Sequence, residues 1–89
     1  MGQKKVFDVF LREKPAMLLI ELLNNNGSTY ASVLAKNIDC TYSHVIRILQ
    51  EMQESDLVQV KKQGRMNVLE LTTRGQDVAR HIEGIRTIL

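Results

Sequence analysis

The chain has 89 residues, 44% of them hydrophobic, which is enough for one domain with a modest core. Its single cysteine excludes an intramolecular disulfide and fits a reducing cytosol, and its net charge of +2 does not by itself indicate nucleic-acid binding. No apolar run approaches the roughly 20 residues of a membrane span, and charges interrupt the N-terminus too often for a signal peptide. We therefore expect a cytoplasmic protein without a membrane partner.

Two helices are predicted before the first glycine-containing turn. Residues 3–13 carry one apolar face of a short amphipathic helix. That face consists of Val6, Phe7, Phe10 and Leu11. Pro15 favours a restart, because proline is tolerated in the first turn of a helix, and "PAMLLIELL" is typical of a mostly buried helix. The "NNNG" run at 24–27 ends it, because Asn and Gly accept the left-handed conformation.

A short helix, a connector and a longer helix follow. Ser28 or Thr29 is predicted to cap the helix "YASVLAKN", and "IDC" is the connector. Asp39 or Thr41 is predicted to cap the longer helix, which runs to about Ser55. Apolar residues recur on one face of this helix at spacings of 3, 1 and 3, which indicates a core stripe. The stripe consists of Val45, Ile48, Leu49 and Met52.

The segments "LVQVKK" and "MNVLEL" alternate roughly between apolar and polar residues, so they are predicted to pair as strands around a turn at Gly64. A final helix follows, with Thr72 or Thr73 as its cap. Its apolar residues are spaced 4, 3 and 4 apart, which is typical of a narrow helix–helix seam. The predicted seam consists of Val78, Ile82, Ile85 and Leu89.

These elements predict a mainly α fold with a small β-hairpin. A hairpin directly after a helix-turn-helix makes a winged helix-turn-helix, here a three-helix core with a two-stranded wing and terminal helices. We expect a single domain over residues 1–89. Residues 1–14 form the N-terminal helix, 15–71 the core and wing, and 72–89 a C-terminal dimerisation helix.

The segment "LAKNIDCTYSHVIRILQEMQESDLVQVKKQGRMNVLELTTRG" resembles the winged helix-turn-helix domains of prokaryotic transcription regulators, of the MarR and related archaeal type. The resemblance covers roughly residues 15–80. It depends on the apolar spacing of the second helix, the Gly-Arg pair at the wing tip and the closing "LT-x-x-G". Asp56 departs from the pattern by standing where the family has Gly, a position that often takes a left-handed turn.

The resemblance implies sequence-specific binding of double-stranded DNA in transcription regulation. The recognition helix, residues 41–55, would enter the major groove, and the wing, residues 61–66, would contact the backbone or minor groove. The implied DNA-binding residues are Thr41, Tyr42, Ser43, His44, Arg47, Lys61, Lys62 and Arg65. From the residues alone, Arg47 could instead pair with Glu51 on a solvated helix face. The wing cations could likewise only protect a strand edge from pairing.

Other chemistry has little support in the sequence. Cys40 is expected to be structural, with a redox role as the alternative. His44 and His81 lack a ligand-spaced cluster of cysteines or carboxylates, so we expect no metal and no cofactor. Neither a nucleophile–base arrangement nor a phosphate-cradling glycine loop occurs, and we do not expect an enzyme.

Two alternatives to DNA binding remain. One is a winged-helix subunit that binds protein, favoured by the low net charge and by the acidic residues Glu51, Glu54 and Asp56. The other is a pure dimerisation module, favoured if the terminal helices hold the only large exposed apolar surface. We expect a homodimer, because a terminal helix has only one flank on its own small domain; the alternative is that both terminal helices fold back to complete one monomeric core. The predicted interface residues are Val6, Phe7, Phe10, Val78, Ile82, Ile85 and Leu89.

Overall fold

The computed structural model describes residues 12–88, and these form four helices and a three-stranded antiparallel sheet. In chain order the elements are α1 (Glu13–Asn24), β1 (Ser28–Thr29), α2 (Ala31–Asn37), α3 (Tyr42–Glu54), β2 (Val58–Gln63), β3 (Met66–Leu71) and α4 (Thr73–Ile88). The helix predicted before Pro15 falls almost wholly outside the described residues. The main architecture is therefore as the sequence predicts, with one additional strand.

Helix α1 occupies the centre of the core. Its buried residues lie on several sides of the helix, because α1 packs against α2 and α4 and against the sheet. They are Ala16, Leu18, Leu19, Ile20 and Leu22. Beyond the helix, Asn26 and Gly27 take positive φ angles of 61° and 86°. This confirms that the "NNNG" run ends the helix in the left-handed region.

Ser28 and Thr29 do not cap α2, contrary to prediction. They form β1, where they pair with Glu70 and Leu69 of β3. The left-handed residues before them turn the chain onto the sheet edge, and the Leu71 amide donates to the Gly27 carbonyl at 2.8 Å. The N-cap of α2 is instead Tyr30, whose side chain makes no capping hydrogen bond.

The stripe predicted on the longer helix is confirmed. Val45, Ile48, Leu49 and Met52 are all buried, and they fix α3 against the rest of the core. Burying an aliphatic side chain contributes about 1.5–3 kcal/mol. Four such residues on one side of α3 therefore determine which side of the helix is left for solvent or a partner.

A compact junction joins the base of the wing to α4. Asp56 has a φ of 60°, which confirms the left-handed turn expected there. The Thr72 hydroxyl donates to the Asp56 carbonyl at 2.7 Å and accepts from the Gly75 amide at 2.9 Å, so Thr72 caps α4 as predicted. The Thr72 amide also donates to the Leu57 carbonyl at 3.0 Å. The hydrogen bonds of Thr72 consequently join the base of the wing to the start of α4.

Candidate nucleic-acid interface

The turn between α2 and α3 is stabilised from two sides. Thr41 caps α3, because its hydroxyl oxygen accepts from the His44 amide at 3.2 Å. Asp39 is not the cap and takes a positive φ of 53°. The Lys14 ammonium, on α1, donates to the carbonyls of Ile38 at 2.7 Å and Asp39 at 3.1 Å. A cation beside the carbonyls at the end of α2 also opposes the negative end of that helix dipole.

Ser43 and Arg47 lie on the exposed side of α3, opposite the buried stripe. The alternative pairing of Arg47 with Glu51 does not form. The Glu51 carboxylate lies 4.0 Å from the Arg12 guanidinium instead, and both of those side chains are well exposed. Within residues 12–88, Arg47 has neither an ion pair nor a hydrogen bond. Its guanidinium is therefore available to a ligand in front of α3.

His44 and Cys40 contact each other at the flank of α3. The Cys40 sulfur lies 3.2 Å from Nδ1 of His44, and both residues are half-buried. Cys40 also packs against the core, which agrees with its expected structural role. His44 thus directs one ring nitrogen to the connector, and the structure does not bring it onto the exposed face with Ser43 and Arg47.

The wing ends in a tight two-residue turn at Gly64 and Arg65. Gln63 pairs with Met66, and Gly64 takes a φ of 59° while Arg65 keeps a negative φ. Glycine at the first central position with positive φ is the pattern of a type II′ hairpin turn. Arg65 is exposed and stands at the tip, as the sequence predicts.

The two wing lysines lie on opposite faces of the sheet. Val60 pairs with Leu69 and Lys62 with Asn67, so these four residues share one face, and Lys61 belongs to the other. The Lys61 ammonium lies 3.3 Å from a Glu70 carboxylate oxygen, which balances its charge locally. Of the two predicted lysines, only Lys62 shares the sheet face that carries Val60 and Leu69.

A hollow of about 360 Å³ separates α3 from the wing. We call it the helix–wing hollow. Its lining comes from the start of α2, one side of α3 and the wing. The residues that bear on function are Tyr30, Tyr42, Ile46, Gln50, Arg65 and Met66. Residues of α3 and the wing tip therefore border one concave surface.

Asn67 and Tyr30 also line this hollow, although neither is among the predicted site residues. A signal for Asn67 was available in the chain, because a two-residue turn at Gly64 and Arg65 fixes Asn67 opposite Lys62. Tyr30 offers no such signal, since its position depends on how α2 packs beside α3.

The residues of the predicted dimerisation seam differ in their exposure in the structure. Ile82 is only 9% exposed and belongs to the chain's own core, and Val78 packs against that core. Ile82 is therefore not free to form a seam with a partner, because α4 packs on α1 through this side. Ile85 and Ile88 remain 41% and 84% exposed. The other predicted interface residues lie outside the described residues, namely Val6, Phe7, Phe10 and Leu89.

Residues 12–88 contain neither a candidate metal site nor a helix that could span a membrane. No group of three or more histidines, cysteines or carboxylates is placed to hold a metal ion. Among the helices α1–α4, none is both long and apolar enough to cross a membrane.

Comparison with known proteins places this fold. No protein-family model matches the chain. An uncharacterised protein of Archaeoglobus fulgidus is 27% identical over 85 residues, which cover 91% of this chain and 88% of that protein. The solved structure of AF1382 from Archaeoglobus fulgidus matches with a TM-score of 0.82 and 24% identity, covering 91% of this chain and 92% of that one.

Two further solved structures are longer proteins. The adhesin competence repressor AdcR of Streptococcus pyogenes matches with a TM-score of 0.74 and 18% identity over 83% of this chain and 56% of that one. A variant of Lactococcus lactis ZitR in complex with DNA matches with a TM-score of 0.78 and 17% identity over 88% of this chain and 54% of that one. This chain thus spans about half the length of both. By their names, AdcR is a repressor and the ZitR variant is bound to DNA. The three structures confirm the predicted winged helix-turn-helix fold.

Proposed function

We propose that this chain, a winged helix-turn-helix protein of MarR-like fold, regulates transcription by binding double-stranded DNA sequence-specifically. The observation that carries the proposal is the exposed Arg47 guanidinium, which has no partner within residues 12–88 and lies on the open side of α3. Arg65 borders the same helix–wing hollow from the wing. In this arrangement α3 enters the major groove while the wing follows the backbone or the minor groove.

The residues divide by expected role. Arg47 suits a bidentate contact to guanine O6 and N7, and Ser43 beside it suits a base edge or a phosphate. Lys62 and Arg65 suit phosphates, which position a protein but carry no sequence information. Thr41 acts mainly through the cap that it gives α3, and His44 acts from the flank of that helix.

The test begins with selection of the preferred duplex from random-sequence DNA by the purified chain. Arg47→Ala should then lose about 1–3 kcal/mol on the selected site and much less on unrelated DNA. A fluorescence anisotropy titration at fixed salt measures both. The matched control is Arg80→Ala on α4, another exposed arginine, whose partner is Asp77 at 3.5 Å.

The outcomes separate three interpretations. An equal loss on every duplex would make Arg47 a phosphate contact. An equal loss of DNA affinity for Arg80→Ala would show that the loss comes only from removing a positive charge from the protein. Failure of the folded chain to bind any duplex at low salt would contradict the proposal and favour a winged helix that binds protein.

We also propose a homodimer formed by the terminal helices. Ile85 and Ile88 support it, because they leave apolar surface exposed at the end of α4. A two-fold dimer would set two recognition helices about one DNA turn apart on a palindromic site. A regulator of this kind acts where the DNA is, so the cytoplasm remains its proposed location.

A further inference from the structure

Exposed apolar side chains are concentrated beside the recognition helix. Within residues 12–88 the large hydrophobic residues that remain exposed fall into two groups. Ile85 and Ile88 lie at the end of α4, whereas Tyr42, Val60 and Met66 all line the helix–wing hollow. Tyr42 is the first residue of the helix that the proposed function places in the major groove, and it is 58% exposed. An apolar cluster at this place calls for an apolar group on the ligand.

The polar groups of the hollow are almost all uncharged. Gln50, Gln53 and Asn67 supply amides, and Arg65 is the one charged residue among those that line it. The hollow therefore combines apolar side chains with one cation, Arg65, and Arg47 adds a second exposed cation elsewhere on α3. This combination matches a DNA strand, whose phosphates carry the negative charge and whose bases can present an apolar group.

We infer that Tyr42 is a specificity-determining residue that contacts the 5-methyl group of a thymine in the bound site. The inference rests on the proposed function and adds one base preference to it. The first residues of a recognition helix reach base edges, and Tyr42 is the first residue of α3. The thymine methyl is the apolar group among the base edges of the major groove.

Tyr42 stands at a defined point of the helix–wing hollow. Thr41 caps α3 directly before it, and Ile46, one turn further along α3, also lines the hollow. Tyr42 is 58% exposed and therefore accessible to a ligand. Its hydroxyl offers a second interaction, a hydrogen bond to a phosphate, which the experiment must separate from the methyl contact.

The experiment replaces each thymine of the selected duplex in turn by deoxyuridine, which pairs with adenine identically but lacks the methyl group. For the unmodified chain, we expect one position in each half-site at which the substitution weakens binding about fourfold, the loss that corresponds to one buried methyl group. Tyr42→Ala should bind the thymine and deoxyuridine duplexes equally at that position. Tyr42→Phe should keep the fourfold difference, because the ring remains. Thermal melting of both variants checks that the exposed substitution leaves the fold intact.

Each other outcome overturns the inference. A selected site without thymine, no deoxyuridine effect at any position, or an effect that persists in Tyr42→Ala would each remove the methyl contact. Conversion of a dimer to a monomer by Tyr42→Ala would assign the hollow to a second copy of the chain. DNA binding without methyl dependence refutes this inference alone, whereas no duplex binding at low salt refutes the proposed function together with it.

Discussion

Replacing Gly75 with alanine tests the junction between the wing and α4. A Cβ at this position would lie 1.9 Å from the Leu57 carbonyl oxygen and 2.9 Å from its carbonyl carbon. Both atoms belong to the backbone, so a side-chain rotation cannot relieve the clash. The start of α4 and the base of the wing must therefore move apart by roughly 1 Å or more.

That movement weakens the contacts that the junction contains. The hydrogen bonds from Thr72 to the carbonyls of Leu57 and Asp56, at 3.0 and 2.7 Å, cross the same gap. Overpacking costs about 1–3 kcal/mol, and each lost hydrogen bond costs about 0.5–1.5 kcal/mol. Alanine returns only about 1 kcal/mol through its helix propensity. The net loss should be about 3 kcal/mol, which lowers Tm by roughly 12–24 °C for a domain of this size.

Gly84 provides the control within the same helix. Among residues 12–88, no atom beyond its chain neighbours and the backbone of its own helix lies within 4 Å of a Cβ built at this position. Gly84→Ala should therefore show only the gain from helix propensity, about 0.5–1 kcal/mol, and raise Tm by roughly 2–8 °C. Differential scanning calorimetry of the two variants measures both shifts. Equal shifts, or a Gly75→Ala variant as stable as the unmodified chain, would refute the close packing of α4 on Leu57.

Two further predictions concern the wing and the end of α4. Lys62→Ala and Arg65→Ala should each flatten the slope of log affinity against log salt by about 1, and Lys61→Ala should change it less because Glu70 already balances that charge. Three equal slope changes would contradict this division of the wing. Sedimentation equilibrium at micromolar concentration should give twice the chain mass of 10.2 kDa, and Ile85→Glu with Ile88→Glu should restore the monomer. A dimer that survives both substitutions would have its interface elsewhere.

Much of the fold could be predicted because it depends on local properties of the chain. The buried stripe of α3 follows from the spacing of Val45, Ile48, Leu49 and Met52, since a helix brings such residues to one side whatever surrounds it. Gly64 and Asp56 occupy the left-handed turns expected of them, because the sign of φ is a property of the residue and its two neighbouring peptides.

The proposed site could be predicted only in part. Arg47 and Arg65 are exposed where the resemblance implied. The solvent side of α3, which carries Arg47, follows from periodicity, and Arg65 lies in the turn at the wing tip. The resemblance implied the same DNA-binding role for Lys61 and Lys62. The strand register directs the two side chains to opposite faces, however, and places Glu70 beside Lys61. The helix–wing hollow could not be predicted, because its shape depends on the distance between α3 and the sheet. The pattern of residues within one helix or strand does not determine that distance.

Some residues show clearly that tertiary contacts, and not the residue type, decide the local structure or the effect of a substitution. Ser28 and Thr29 suit a helix cap, but β3 recruits them as a strand, because pairing with a neighbouring strand satisfies more backbone groups than a cap does. Gly75 and Gly84 are both glycines of α4, and only Gly75 meets the backbone of another element. The sequence by itself determined which segments are helical, which faces are apolar and that the chain turns left-handed at Gly27, Asp56 and Gly64, but not that it does so at Asp39. The tertiary structure alone decided which partner each of these meets, because contacts between residues distant along the chain depend on how whole elements pack.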